Sequence, residues 1–273
     1  MGLRRFFILL VASGLALLCW AYGTAIADPV VREAGVALPG WPAGAPPIRA
    51  VLISDLHVAG PDMPPSRLAR IVGRINALRP DLVLIAGDFI SDKRMATRHY
   101  GQREAAAPLA GLRAPLGVFA VLGNHDHWRD RAGARAALAA ANVRLLDNEA
   151  VAAGPLALGG VDDAFTRHDD LPATVAAMRA LPGARILLSH SPDPFPRLPG
   201  DVGLMLAGHT HCGQIRLPFV GAVSTMSRYG QRYACGLVRE RGRTLIVTAG
   251  LGTSGLPLRL GAVPDLWLVR LGP

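Results

Sequence analysis

The chain alternates between short runs that are apolar at every position and longer segments with helical spacing. Residues 50–53, 82–85, 118–122, 186–188 and 202–206 are such runs. Continuous rather than alternating apolarity predicts strands buried on both faces. Between the first two runs, Leu68, Ile71, Val72, Ile75 and Leu78 recur at helical intervals and stop before Pro80, which predicts an amphipathic helix. Residues 131–141, rich in Ala and Arg, and residues 172–181, opening at Pro172, predict two more. Residues 143–146 and 156–161 carry weaker strand signals. Residues 237–238 and 244–248 flank Arg241-Gly242-Arg243 and predict a hairpin, and residues 266–271 predict a last strand. Early β-α-β alternation followed by a hairpin predicts an α/β fold with mixed sheets covered by helices.

Ahead of this pattern lie two segments of different character. Arg4 and Arg5 precede an uncharged run, residues 6–27. Its length, at about 1.5 Å per helical residue, is enough to cross a bilayer core of about 30 Å. The positive flank belongs on the cytoplasmic side, which predicts an inner-membrane anchor with the following domain outside the cytoplasm. Ala25 and Ala27 form an A-x-A pattern, so a signal peptide cleaved after residue 27 is the alternative. Residues 28–48, with Pro39, Pro42, Pro46 and Pro47, read as a stiff stalk or irregular lead-in. Residues 49–273 then suit one domain.

The formal net charge is +9, and 28 of the 29 basic residues are arginine. There is no dense basic run and no aromatic ladder, so nucleic acid is not expected as a partner. The arginine excess is ascribed to composition, with attraction to an anionic membrane surface as the alternative. Cys212 and Cys235 are read as two unpaired small residues, with pairing in an oxidising compartment as the alternative.

The polar residues that carry chemistry sit where apolar runs end. Asp55 and His57 follow the first run, Gly87-Asp88 the second and Gly123-Asn124-His125-Asp126 the third. Ser189-His190 and Gly208-His209-Thr210-His211 follow the next two. Parallel strands gather the loops at their carboxyl ends along one edge, where ligands bind. Asp55, His57, Asp88, Asn124, His190, His209 and His211 thus form a mixed nitrogen and oxygen donor set, suited to divalent Mn, Fe or Zn. Seven donors exceed the needs of one ion and suit two ions sharing a carboxylate. Five of the eight histidines fall in these motifs.

The order D-L-H, G-D, G-N-H-D, S-H, G-H-T-H resembles the calcineurin-like metallophosphoesterase superfamily, from about residue 50 to the C-terminus. Residues 208–215 and 250–257 look like its bacterial YaeI/YkuE-like phosphodiesterase subgroup, which typically carries an N-terminal membrane or export segment. The resemblance implies an αββα sandwich of two mixed sheets with the metal site at the sheet edge. It implies that Asp55, His57 and His211 hold a first ion, Asp88 bridges, and Asn124, His190 and His209 hold a second. It makes His125 the catalytic histidine, protonating the leaving oxygen, and Asp126 the residue that orients it. Cys212 departs from the glycine also common there.

The expected activity is metal-dependent hydrolysis of a phosphodiester or pyrophosphate at the membrane, on a phospholipid or nucleotide-linked lipid. UDP-2,3-diacylglucosamine is a family-level alternative, although it lies on the cytoplasmic side. A membrane-tethered metal- or phosphate-binding module without turnover is the alternative from another class, and a phosphoprotein phosphatase is a third. Several other residues receive lesser roles. His127 and Trp128 are expected to support the loop rather than line the cleft, and Asp162 and Asp163 to lie in a solvated turn. His168 is expected in a surface loop, and Asp92 is read as a buttress of the Asp88 loop. Leu217, Pro218, Phe219, Leu256, Pro257 and Leu258 are expected to pack internally rather than dip into lipid.

Overall fold

Each of the five apolar runs forms a strand covered on both sides. The computed structural model describes residues 2–273. Its strands are β1 Val30–Ala37, β2 Ile48–Ile53, β3 Leu82–Ala86, β4 Val118–Val121, β5 Arg144–Leu145, β6 Glu149–Ala153, β7 Leu156–Gly160, β8 Ala184–Leu188, β9 Leu204–Ala207, β10 Arg216–Leu217, β11 Gly221–Ala222, β12 Gly236–Glu240, β13 Arg243–Val247 and β14 Asp265–Gly272. Its α-helices are α1 Leu3–Ile26, α2 Pro65–Ala77, α3 Gln102–Ala106, α4 Asn124–Ala140 and α5 Leu171–Arg179.

Two six-stranded sheets, ordered β1-β14-β2-β3-β4-β5 and β12-β13-β9-β8-β7-β6, make up the body, and β10 and β11 form a small separate ribbon. β2 to β5 run parallel, as do β7, β8, β9 and β13. Antiparallel pairing of β14 with β2, β12 with β13 and β6 with β7 makes both sheets mixed.

The twofold alternation of a strand assigns the layers. Leu52, Leu84, Ile186 and Leu206 fill a core between the sheets. Val51, Ile53, Val83 and Ile85 turn the other way, onto Leu68 and Ile71 of α2 and Leu138 of α4. Leu187, Met205 and Leu245 turn outward onto Val175 and Met178 of α5. Three apolar interfaces between four layers give the expected αββα sandwich. Because the parallel strands of both sheets point one way, β2, β3, β4, β8 and β9 all end at one edge.

Two expectations about local structure are corrected. Residues 28–48, read as a stalk or irregular lead-in, contain β1, which pairs parallel with β14 along its whole length. Arg32 and Glu33 interrupt its apolar pattern because β1 is an edge strand; Arg32 Nε reaches Asp265 at 2.6 Å. Cys212 and Cys235, read as unpaired, form a disulfide; a pair 23 residues apart carries no spacing signature.

α1 spans 24 residues and is long and apolar enough to cross a membrane. Only its last turns touch the domain: Ala21 and Ala25 are buried, Arg259 N donates to Ala21 O at 3.0 Å, and Arg67 Nη2 donates to Ala27 O at 2.7 Å.

Candidate metal centre

Four of the five strand ends are tied in two pairs by backbone bonds before any side chain is considered. Asp55 N donates to Gly87 O at 2.9 Å and His57 N to Asp88 O at 3.0 Å, joining the loops after β2 and β3. Gly208 N donates to His190 O at 2.9 Å, joining those after β8 and β9. Asp55, His57, Asp88, His209 and His211 all adopt positive φ, between 43° and 68°. This region is costly for residues with a Cβ and clusters at functional sites. Glycines make the remaining room. A Cβ on Gly208 would overlap Ser54 Oγ and lie 2.5 Å from Asp55 Oδ2, and one on Gly123 would overlap Asp88 Oδ1.

All seven expected donors converge and are buried. His57 Nε2 and His211 Nε2 lie 3.0 Å apart, with Asp55 Oδ1 3.4 Å from His211 Nε2. On the other side, His190 Nε2 lies 3.0 Å from His209 Nδ1 and 3.1 Å from Asn124 Oδ1. Asp88 stands between the groups: its Oδ2 is 3.4 Å from His57 Nε2 and 3.3 Å from His190 Nε2. Ligand atoms of Asp55, His57 and His211 all lie within 4.8 Å of one another, as do those of Asp55, Asp88 and His190. A third such group, His57, Asp88 and His125, brings His125 to the same centre.

The tautomers show what this arrangement suits. His190 Nδ1 lies 2.7 Å from Ala86 O and His209 Nε2 lies 3.1 Å from Met226 O. A carbonyl only accepts, so each imidazole spends its proton there and turns a lone pair inward. Burial drives His57 and His211 well below the usual imidazole range and His209 down to about 3. Burial also opposes charge on His190, yet the Asp88 carboxylate and its hydrogen bond outweigh it and draw positive charge to this point. Asp55 is pushed up to about 6 by burial and then by the Asp88 charge, against the pull of His190. Inward lone pairs 3.0 Å apart are mutually repulsive unless positive charge lies among them, and the raised pKa of His190 is that same demand met by a proton, which a metal ion would replace. The donors therefore fit a divalent metal.

The loop after β4 gives one expected residue a different place. Asp126 makes no hydrogen bond to His125. Its carboxylate accepts from the backbone N–H groups of Asp88, Phe89 and Gly123 at 2.9, 2.9 and 3.0 Å. Asp126 thus buttresses the Asp88 loop. Asp92, read as that buttress, instead lies 2.6 Å from His125 Nδ1. The two aspartates exchange roles for a helical reason: α4 begins at Asn124, and consecutive helical residues do not face each other.

Other expectations also shift. Trp128 lines the cleft, while His127 turns inward to Asp162 Oδ1 at 2.8 Å. Asp162 and Asp163 are buried rather than solvated; Asp163 accepts from Phe165 N and Thr166 N. His168 lies exposed in a loop, as expected, and stacks on His127 with ring centroids 4.1 Å apart. Sequence reasoning missed Arg259, which is fully buried. Its Nη2 donates to Ala249 O at 2.7 Å and Gly252 O at 2.5 Å and lies 3.4 Å from His211 Nδ1. The available signal was a lone arginine between Leu258 and Leu260.

The centre lies at the floor of a cleft of about 390 Å³, with Asn124, His125, Trp128, His209, His211 and Ser254 among its lining. The profile of calcineurin-like phosphoesterases matches residues 48–213. The chain is 31% identical to the uncharacterized metallophosphoesterase YkuE of Bacillus subtilis, over 84% of this chain and 81% of that one. It is 32% identical to a transmembrane protein with metallophosphoesterase domain of Danio rerio, over 87% of this chain and 56% of that one. It is 29% identical to the UDP-2,3-diacylglucosamine pyrophosphatase LpxG of Chlamydia trachomatis, over 82% of this chain and 83% of that one. It spans 50 to 60% of the length of several curated relatives that it matches. With the donor cluster, the edge-on cleft and the matched profile in agreement, the chain belongs to the calcineurin-like phosphoesterase family.

Proposed function

We propose that this protein is a dinuclear phosphodiesterase or pyrophosphatase that acts at a membrane surface. The observation that carries the reading is the position of Asp88 Oδ2, shared between an imidazole group at 57 and 211 and another at 190 and 209. Asp55, His57 and His211 would hold one ion and Asn124, His190 and His209 the other, with Asp88 common to both. A bound pair of divalent ions supplies activated water and charge neutralisation at phosphorus.

The chain's own residues supply the rest. His125 reaches into the cleft with its side chain 14% exposed, so its Nε2 is open to substrate. Asp92 accepts a hydrogen bond from Nδ1–H and stabilises the imidazolium, and His125 Nε2–H then delivers a proton to the leaving oxygen. Ser254 Oγ, 3.5 Å from His125 Nε2, borders the same point. Ile215, Val223, Met226 and Trp128 give the outer cleft an apolar wall, which suits a phosphoester with an apolar substituent better than a compact polar monoester.

Membrane action is supported by α1. The Cys212–Cys235 disulfide supports an oxidising, extracytoplasmic compartment. The likeness to the C. trachomatis enzyme favours a lipid-linked pyrophosphate as a second reading. The test is turnover of bis-p-nitrophenyl phosphate against p-nitrophenyl phosphate with added Mn²⁺. Faster diester turnover is expected; monoester preference would contradict the reading, and metal loading without any hydrolysis would favour a binding module.

A further inference from the structure

We infer that the rim of the cleft is a membrane-inserting foot, seated in the same leaflet surface from which α1 enters the domain. The inference rests on the reading of α1 as a membrane helix and of the cleft as a phosphoester site. The occupant of the surface is a lipid bilayer.

The argument follows a continuous path of contacts. The end of α1 is held by Arg259 N on Ala21 O at 3.0 Å. On either side of Arg259 the loop exposes Leu256 and Val263. Next to it, Leu260 O accepts from Arg216 N at 2.7 Å, and Gln214 O accepts from Leu260 N at 3.0 Å. That bonding attaches the ribbon of β10 and β11 directly to the loop beside α1. The ribbon's tip, Leu217-Pro218-Phe219-Val220, turns its side chains to solvent: Phe219 is fully exposed and Val220 is 66% exposed. The expectation that these residues pack internally is thus corrected for Leu217, Pro218, Phe219 and Leu256.

The same ribbon is an outward extension of the cleft wall. Gln214, Ile215 and Val223 line the cleft, and Val223 N closes onto Ile215 O at 3.1 Å. Anchor, exposed apolar tip and cleft wall are therefore consecutive neighbours. Large aliphatic and aromatic side chains clustered on one exposed rim mark an interaction surface rather than ordinary scatter. Beside a helix that enters the bilayer, the nearest apolar phase is the bilayer itself. Seating Phe219, Val220 and Leu217 there opens the cleft at headgroup depth. Its substrate is then an amphiphilic phosphoester, with the phosphorus at the donor cluster and the acyl portion remaining in the leaflet.

The test uses the full-length chain in vesicles of phosphatidylcholine and phosphatidylglycerol. Phe219→Cys carries a nitroxide in a Cys19→Ser background, and Arg103→Cys on α3 serves as the aqueous control. Power saturation is expected to show oxygen contact raised and nickel-chelate contact lowered several-fold at 219 relative to 103. Equal accessibility at the two positions would overturn the inference, whatever the enzyme hydrolyses. In a second arm, Phe219→Asp/Val220→Asp is expected to hydrolyse soluble bis-p-nitrophenyl phosphate within about twofold of the parent and a vesicle-embedded acylated phosphodiester at least about tenfold more slowly. Equal losses on both substrates would also overturn it. A parent that inserts residue 219 yet hydrolyses neither substrate would sink the catalytic reading and leave the foot standing.

Discussion

Asp92 Oδ1 lies 2.6 Å from His125 Nδ1, although 33 residues separate them. The contact joins the loop after β3 to the first turn of α4 and aims the other ring nitrogen into the cleft. A general acid held this way contributes about 10²–10⁴-fold to rate, so His125→Ala is expected to lose about that much kcat while keeping its metal. Asp92→Asn should lose a smaller part of it with the same metal content. Elemental analysis beside steady-state kinetics checks both. Metal loss in His125→Ala, or undiminished turnover in Asp92→Asn, would contradict the assignment.

Asp126 should behave differently. Asp126→Ala strands three buried N–H groups, each costing about 1–3 kcal/mol. The expected result is a lower denaturation midpoint together with weaker metal retention, because the Asp88 loop loses its support. Unchanged stability with a defect confined to kcat would restore the orienting role that adjacency to His125 suggests.

Gly208 tests the close approach behind the centre. A methyl group there collides with Ser54 and the Asp55 carboxylate. Gly208→Ala is expected to bind metal at least about tenfold more weakly, since small displacements of a donor or its supports cost 10–100-fold. Isothermal titration with Mn²⁺ measures it, and parent-like affinity would show that the glycine is dispensable.

The His127–Asp162 pair sets a pH dependence away from the donor cluster. Burial opposes charge on His127, but the bond and charge of Asp162 outweigh it and raise its pKa; the same pair lowers that of Asp162. A raised imidazole stabilises the fold below its unfolded pKa, and this is lost as pH rises through the folded value. A lowered carboxylate stabilises above its unfolded pKa, and this is lost as pH falls through the folded value. The pair therefore contributes most between the ordinary carboxylate and imidazole values of 3.8 and 6.5. Denaturant unfolding of His127→Gln should show its largest loss within this window and a smaller one at pH 9. A loss that is flat with pH would contradict the pairing.

The fold was largely legible because runs such as residues 82–85 and 186–188 are apolar at every position, which demands cover on both faces. Their polar successors marked the site: a glycine-flanked Asp or His after a buried strand can only emerge at the sheet edge. What stayed hidden depended on direction or distance. Asp126 neighbours His125 in sequence, but the helix turns it away, whereas Asp92 arrives from another loop. β1 was masked by its one-sided edge position, and Arg259 by an apolar loop whose only local oddity is its charge. The 212–235 disulfide and the exposure of Phe219 are tertiary facts with no local pattern.

The central claim is that two cations share Asp88. Protein equilibrated with excess Mn²⁺, freed of unbound ion and measured by elemental mass spectrometry, is expected to carry two ions per chain, with Asp88→Ala retaining well under one and His211→Ala about one. No more than one ion per parent chain at saturation, or an Asp88→Ala variant loaded like the parent, would contradict it.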